Sequence, residues 1–161
     1  MILKFFSKNF YIILSVVFSI FIIDRLSKIY VINESKKNLS NYIYESKYLN
    51  IRLIWNEGIA FGLFSSVNNL FYNFLTSVIL IIILIIIYMI TKHIGLKRYS
   101  LILILGGALG NFYDRVFYEA VPDFVDFHVN NFHWFIFNFA DIFISIGVMM
   151  LIIIEIFQKN I

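Results

Sequence analysis

Residues 9–23, 58–91, 99–113 and 142–154 of this chain contain no Asp, Glu, Lys, Arg or His. Such stretches suit a bilayer, whose hydrocarbon core of ~30 Å takes about 20 predominantly apolar residues per helix. Inside lipid the backbone must satisfy its own hydrogen bonds, which leaves helices or closed barrels as spanning elements. The composition agrees: 61% of the 161 residues are hydrophobic and 14% charged, against about 45–50% and 25% in ordinary soluble domains. That composition excludes a disordered, fibrous or nucleic-acid-binding chain, and the 13 basic residues are scattered rather than clustered into a nucleic-acid patch. The expected fold is an all-α membrane protein of four transmembrane helices, near Phe10–Ile32, Leu70–Ile90, Tyr99–Phe117 and Phe135–Phe157. Four spans leave no room for a separate soluble domain, so residues 1–161 read as a single integral membrane domain.

Orientation follows from the short connections. Lys92, Lys97 and Arg98 join the second and third spans, whereas Glu119, Asp123 and Asp126 precede the fourth without Lys or Arg. The basic connection is expected inside and both termini with it. Lys4 and Lys8 ahead of an apolar run imitate a signal peptide, but Asp24, Arg25 and Lys28 follow instead of a small-residue cleavage site, so the segment reads as an uncleaved first span. The connection over residues 33–69 carries an alternating, β-forming stretch, Tyr48–Ile54, and a small extracytoplasmic sheet is expected within Tyr44–Phe64. The second span, nearly pure Ile and Leu from Leu75 to Ile90, is read as facing lipid with no chemistry.

Three spans pair a charge-free run of about 13 to 15 residues with an aspartate, which must then sit near the slab edge. With the assigned orientation Asp24, Asp114 and Asp141 all reach the outer side, where Asp123 and Asp126 also lie. Intramembrane acids cost about 2.5 to 3.5 kcal/mol on insertion scales and are functional hypotheses by default. For Asp24 the bland alternative is an (i, i+4) pair with Lys28. Asn111 and Asp114 share a helix face beside Arg115 and read as a structural polar knot; Gly106, Gly107 and Gly110 read as a packing face. Asp123 and Asp126 taken singly read as a solvated acidic loop. Asn138 and Asp141, three apart in an apolar helix, resist such a reading. His93, His128 and His133 lack metal-ligand spacing and no serine sits in a nucleophile elbow, so no metal and no cofactor are expected. Carboxylate chemistry remains: two Asp at one depth can share a proton, one serving as base and the other as acid. A proton-conducting transporter subunit and a non-enzymatic lipid-binding scaffold are the competing classes, though a relay needs polar groups across the whole bilayer and the second span offers almost none.

Motifs in order carry a family resemblance: Asp24-Arg25-Leu26-Ser27-Lys28, Asn56-Glu57-Gly58-Ile59-Ala60-Phe61-Gly62, and Gly106 through Arg115, followed by Val121-Pro122-Asp123-Phe124-Val125-Asp126-Phe127 and Phe137-Asn138-Phe139-Ala140-Asp141. Across essentially its whole length the chain resembles the lipoprotein signal peptidases, signal peptidase II, of bacterial membranes. The resemblance implies an aspartic endopeptidase that removes signal peptides from diacylglyceryl-modified prolipoproteins, cutting on the N-terminal side of the lipidated cysteine. It implies a catalytic pair of Asp123 and Asp141, leaving Asp126 a bystander; spacing alone does not choose Asp123 over Asp126 or Asp114. Asn56, Asn111, Arg115 and Asn138 match positions that line or order the substrate site, and Asp24, Lys28 and Asp114 match polar positions supporting it. The implied setting is the bacterial inner membrane, with a monomer working among membrane lipids and its active site at the extracytoplasmic face. Pro122 departs from the Val or Thr usual before the first aspartate and removes a backbone donor there.

Overall fold

The computed structural model describes residues 8–37, 42–58, 69–130 and 132–158. The elements are α1 (Lys8–Lys37), β1 (Leu49–Asn56), α2 (Asn69–Lys92), α3 (Gly95–Tyr118), β2 (Val121–Val129), β3 (Phe132–Phe137) and α4 (Phe139–Gln158). Among them α1, α2 and α4 contain stretches, Asn9–Lys37, Tyr72–Lys92 and Phe139–Phe157, long and apolar enough to cross a membrane. The expected third span is helical as α3, but its three glycines, Asn111, Asp114 and Arg115 dilute its apolarity.

α1, α3 and α4 run longer than the charge-free stretches that announced them. At about 1.5 Å per residue, the 30 residues of α1 extend ~45 Å, and its end beyond Ile32 carries Lys36 and Lys37, which suit a helix C-terminus. α3 is the hub, packing on α1, α2 and α4. Its glycines set those approaches: a Cβ on Gly107 would strike the carbonyl oxygen of Ala140 in α4, and one on Gly110 would lie 2.5 Å from Asp24 Oδ2 in α1. Small residues let membrane helices meet this closely. Val17, Ile83, Ile86, Leu101, Ile102 and Leu105 form the helical core.

The sheet is built differently from the expectation. It has three antiparallel strands in the order β1-β2-β3, and only β1 comes from the first connection. β2 and β3 lie in the stretch between α3 and α4, so Phe135–Phe137, expected to open the fourth span, is the end of a strand. The physical reason is at Asn138, which caps α4: its Oδ1 accepts the Asp141 N–H at 3.1 Å, and Asp141 Oδ2 accepts the Asn138 N–H at 3.1 Å. This reciprocal box fixes where the helix begins. The expected strand continuation to Phe64 and the motif residues Ile59–Gly62 lie outside the described residues. Pro122 does not interrupt β2; it stands opposite Trp55, and Asp123 opposite Ile54. Val31, Phe124 and Val125 seat the sheet on the end of α1.

Candidate active site

Asp123 lies on β2 and Asp141 in the first turn of α4, and both line one cavity of about 850 Å³. Asn138 joins them. Its Nδ2 donates to Asp123 Oδ1 at 2.6 Å, while its Oδ1 accepts the Asp141 backbone N–H. On the other side of Asp123, Asn56 at the end of β1 donates to Oδ2 at 2.9 Å. Asp141 Oδ1 in turn accepts from Asn111 Nδ2 at 2.8 Å. Three asparagines from three elements thus hold two carboxylates, and an amide donor fixes a carboxylate oxygen without neutralising it.

Burial pushes the Asp123 carboxyl up to about 7, with the neighbouring Asp141 charge adding to the rise and the two asparagine donors opposing it. A carboxyl that titrates near neutrality can hold a proton or release it during a reaction.

A buried ionic cluster stands beneath the pair. Lys28 Nζ donates to Asp24 Oδ2 at 2.8 Å and to Asp114 Oδ2 at 2.7 Å, and Arg25 is ion-paired to the other oxygen of Asp114. Two acids and two bases balance, as burial demands. The (i, i+4) reading of Asp24 and Lys28 is therefore correct but partial. Asp24 Oδ1 also accepts the Ala140 N–H at 3.0 Å, tying α1 to the first turn of α4. Lys28 makes a third bond, to Asn111 Oδ1 at 2.9 Å. Since an ammonium can only donate, it holds the Asn111 oxygen and so turns the amide nitrogen toward Asp141.

The expected knot of Asn111, Asp114 and Arg115 is divided. Asp114 faces α1, whereas Arg115 lines the cavity and donates to the Gly58 carbonyl at 2.8 Å. Asp126 is not a solvated loop residue; it is fully buried on β2, paired with Arg52 Nε at 2.9 Å and contacted by His133 Nδ1 at 2.9 Å. Asp123 is likewise buried in a strand. The second expected span has more than a lipid face: Ile79, Ile82 and Ile86 of α2 wall the cavity. Apolar periodicity could not reveal this, because an isoleucine toward lipid and one toward an apolar cavity look alike. A cue for the clamp was present, since Asn138 and Asp141 at capping-box spacing open an apolar run.

Fold and site together define an integral membrane protein with a carboxylate pair at the end of an apolar cavity. The family model for signal peptidase (SPase) II matches residues 16–157, and the chain belongs to that family. It is 51% identical over 153 residues to the lipoprotein signal peptidase of Pelagibacter ubique, covering 95% of this chain and 92% of that one. The Aquifex aeolicus lipoprotein signal peptidase is 36% identical over 158 residues, covering 97% and 92% respectively. A bacterial membrane enzyme structure solved by the in meso method at 2.3 Å superposes with a TM-score of 0.77 at 29% identity, covering 91% of this chain and 88% of that one.

Proposed function

We propose that the protein is an aspartic endopeptidase that removes signal peptides from diacylglyceryl-modified prolipoproteins, cutting on the N-terminal side of the lipidated cysteine. The observation that carries this is the Asn138 clamp, which holds Asp123 and Asp141 at one end of an apolar cavity. In this mechanism Asp141 serves as the base and Asp123, which holds its proton below about pH 7, as the acid. Water between them gives a proton to Asp141 as its oxygen attacks the scissile carbonyl, while the Asp123 proton moves to the carbonyl oxygen. The intermediate is a gem-diol; as it collapses Asp141 gives its proton to the departing amine of the lipidated cysteine, one diol hydroxyl returns its proton to Asp123 as the carbonyl re-forms, and the starting state returns.

α2 packs on α3 but not closely on α4, so the cavity wall between α2 and α4 offers a lateral way in from lipid. In this reading α3 is the fourth span: its 24 residues extend ~36 Å, enough for the bilayer core. The basic connection then lies in the cytoplasm with both termini, and the sheet and aspartates at the outer face of the bacterial inner membrane. In this reading the working form is a monomer.

Asp123→Asn and Asp141→Asn, each purified in detergent and given a lipidated prolipoprotein, are expected to lose cleavage by 10³-fold or more (on the order of the loss when a catalytic group is removed) while keeping wild-type helicity. Wild-type cleavage by either variant would remove the pair from the mechanism.

A further inference from the structure

The sheet has a second chemical face. Val121, Asp123 and Phe127 line the cavity, and strand alternation turns Asp126 and His128 the other way. On β3 the register shifts: Asp126 stands opposite Ile136 and His128 opposite His133, so three steps along β3 answer two along β2. Such a bulge re-aims the side chains beyond it, and here it turns His133 onto the side of Asp126.

Asp126, His128 and His133 thereby present one ligand atom each, all within 4.8 Å of one another. The two imidazoles stack with centroids 5.1 Å apart and planes 23° off parallel. His133 Nδ1 lies 2.9 Å from Asp126 Oδ1, while His128 Nδ1 is buried with no hydrogen-bond partner. A buried ring nitrogen without a partner needs an explanation, and a metal ion beside a carboxylate and a second imidazole supplies one.

We propose that Asp126, His128 and His133 form a binding site for one divalent transition-metal ion of the zinc class, on the face of the sheet away from the aspartate pair. Two imidazole nitrogens and one carboxylate oxygen suit Zn²⁺, with water at the fourth position. The ion takes Asp126 Oδ1 and replaces the direct His133 contact. Arg52 keeps its ion pair with Oδ2, its Nε standing at 2.9 Å without the alignment of a hydrogen bond, and remains a charged neighbour of the ligating carboxylate. Its positive charge tempers affinity, and its guanidinium is also placed over the Tyr42 ring at 5.8 Å. Bound there, the ion bridges β2 to β3 and stiffens the strand that carries Asp123. Sequence spacing does not reveal this grouping, because its members come from adjacent strands across a bulge.

The test uses the full chain in detergent micelles, titrated with ZnCl₂ by calorimetry and with CoCl₂ by visible absorption. Wild type is expected to bind one Zn²⁺ per chain, to give a Co²⁺ d–d spectrum and to melt at a higher temperature with Zn²⁺ present. His128→Gln and His133→Asn should each weaken binding by about tenfold or more and abolish the melting shift, while His93→Gln and Asp141→Asn leave both unchanged. No Zn²⁺ binding by wild type, wild-type affinity in His128→Gln or His133→Asn, or loss of binding in Asp141→Asn would each overturn the proposal.

Discussion

At the scale of single residues, Asn138 has two separable tasks, capping α4 and gripping Asp123. Serine retains a capping oxygen but is too short and has no amide to reach Asp123. Asn138→Ser should therefore cost at most about 1 kcal/mol in thermal unfolding yet lower kcat/KM by tenfold or more, read on the same preparation. Asn56 acts on the proton. Its amide favours the ionised form of Asp123, whose carboxyl stands at about 7. Removing that donor raises the carboxyl further, so Asp123 keeps its proton to higher pH. In a pH profile of kcat/KM, Asn56→Leu should shift the alkaline limb upward; an unmoved limb would mean that another group controls it. Asp24, Asp114 and Asp141 were legible in the sequence, because acids beside apolar runs are rare enough to announce themselves, whereas Asp123 read as a loop residue and only the family resemblance singled it out. Their partners were not: spacing shows that Asn111 and Asp114 share a helix face, but not that Lys28 lies against both of them.

At the scale of elements, the ionic cluster decides how α1 meets α3. Lys28 is fully buried between Asp24 and Asp114, and its removal leaves two carboxylates served by one guanidinium. Lys28→Met should destabilise the protein by about 3–5 kcal/mol, and adding Asp24→Asn should recover part of that loss because the surplus charge is gone. A thermal-melt double-mutant cycle measures the coupling; additive losses would mean that the two side chains do not sense each other. The four helices were readable from charge-free runs to within several residues at most ends. The sheet was half readable. Tyr48–Ile54 announced β1 through alternation, but Phe132–Phe137 is so apolar that it merges with α4, and only the capping pair marks the boundary.

At the scale of the whole molecule, polar and apolar work are divided along one cavity. The carboxylates stand at the sheet end, and isoleucines of α2, α3 and α4 wall the remainder. Ile82 lies on that wall on α2, a helix that carries neither acid. Ile82→Trp should obstruct an apolar substrate without disturbing the acids, raising KM by about tenfold with kcat little changed, the pattern of lost uniform binding. Steady-state kinetics over a range of prolipoprotein concentrations separates the two constants. A fall in kcat alone would place the substrate elsewhere.

The glycine contacts of α3 also bear on evolution and engineering. At Gly107 and Gly110 the neighbours are a backbone oxygen and a clamped carboxylate, neither free to step aside for even one methyl group. Enlarging either position would wedge apart the helices that bring Asn111 to Asp141. The gap between helices is in this sense part of the chemistry, and the smallest residues in the bundle are among those least open to replacement.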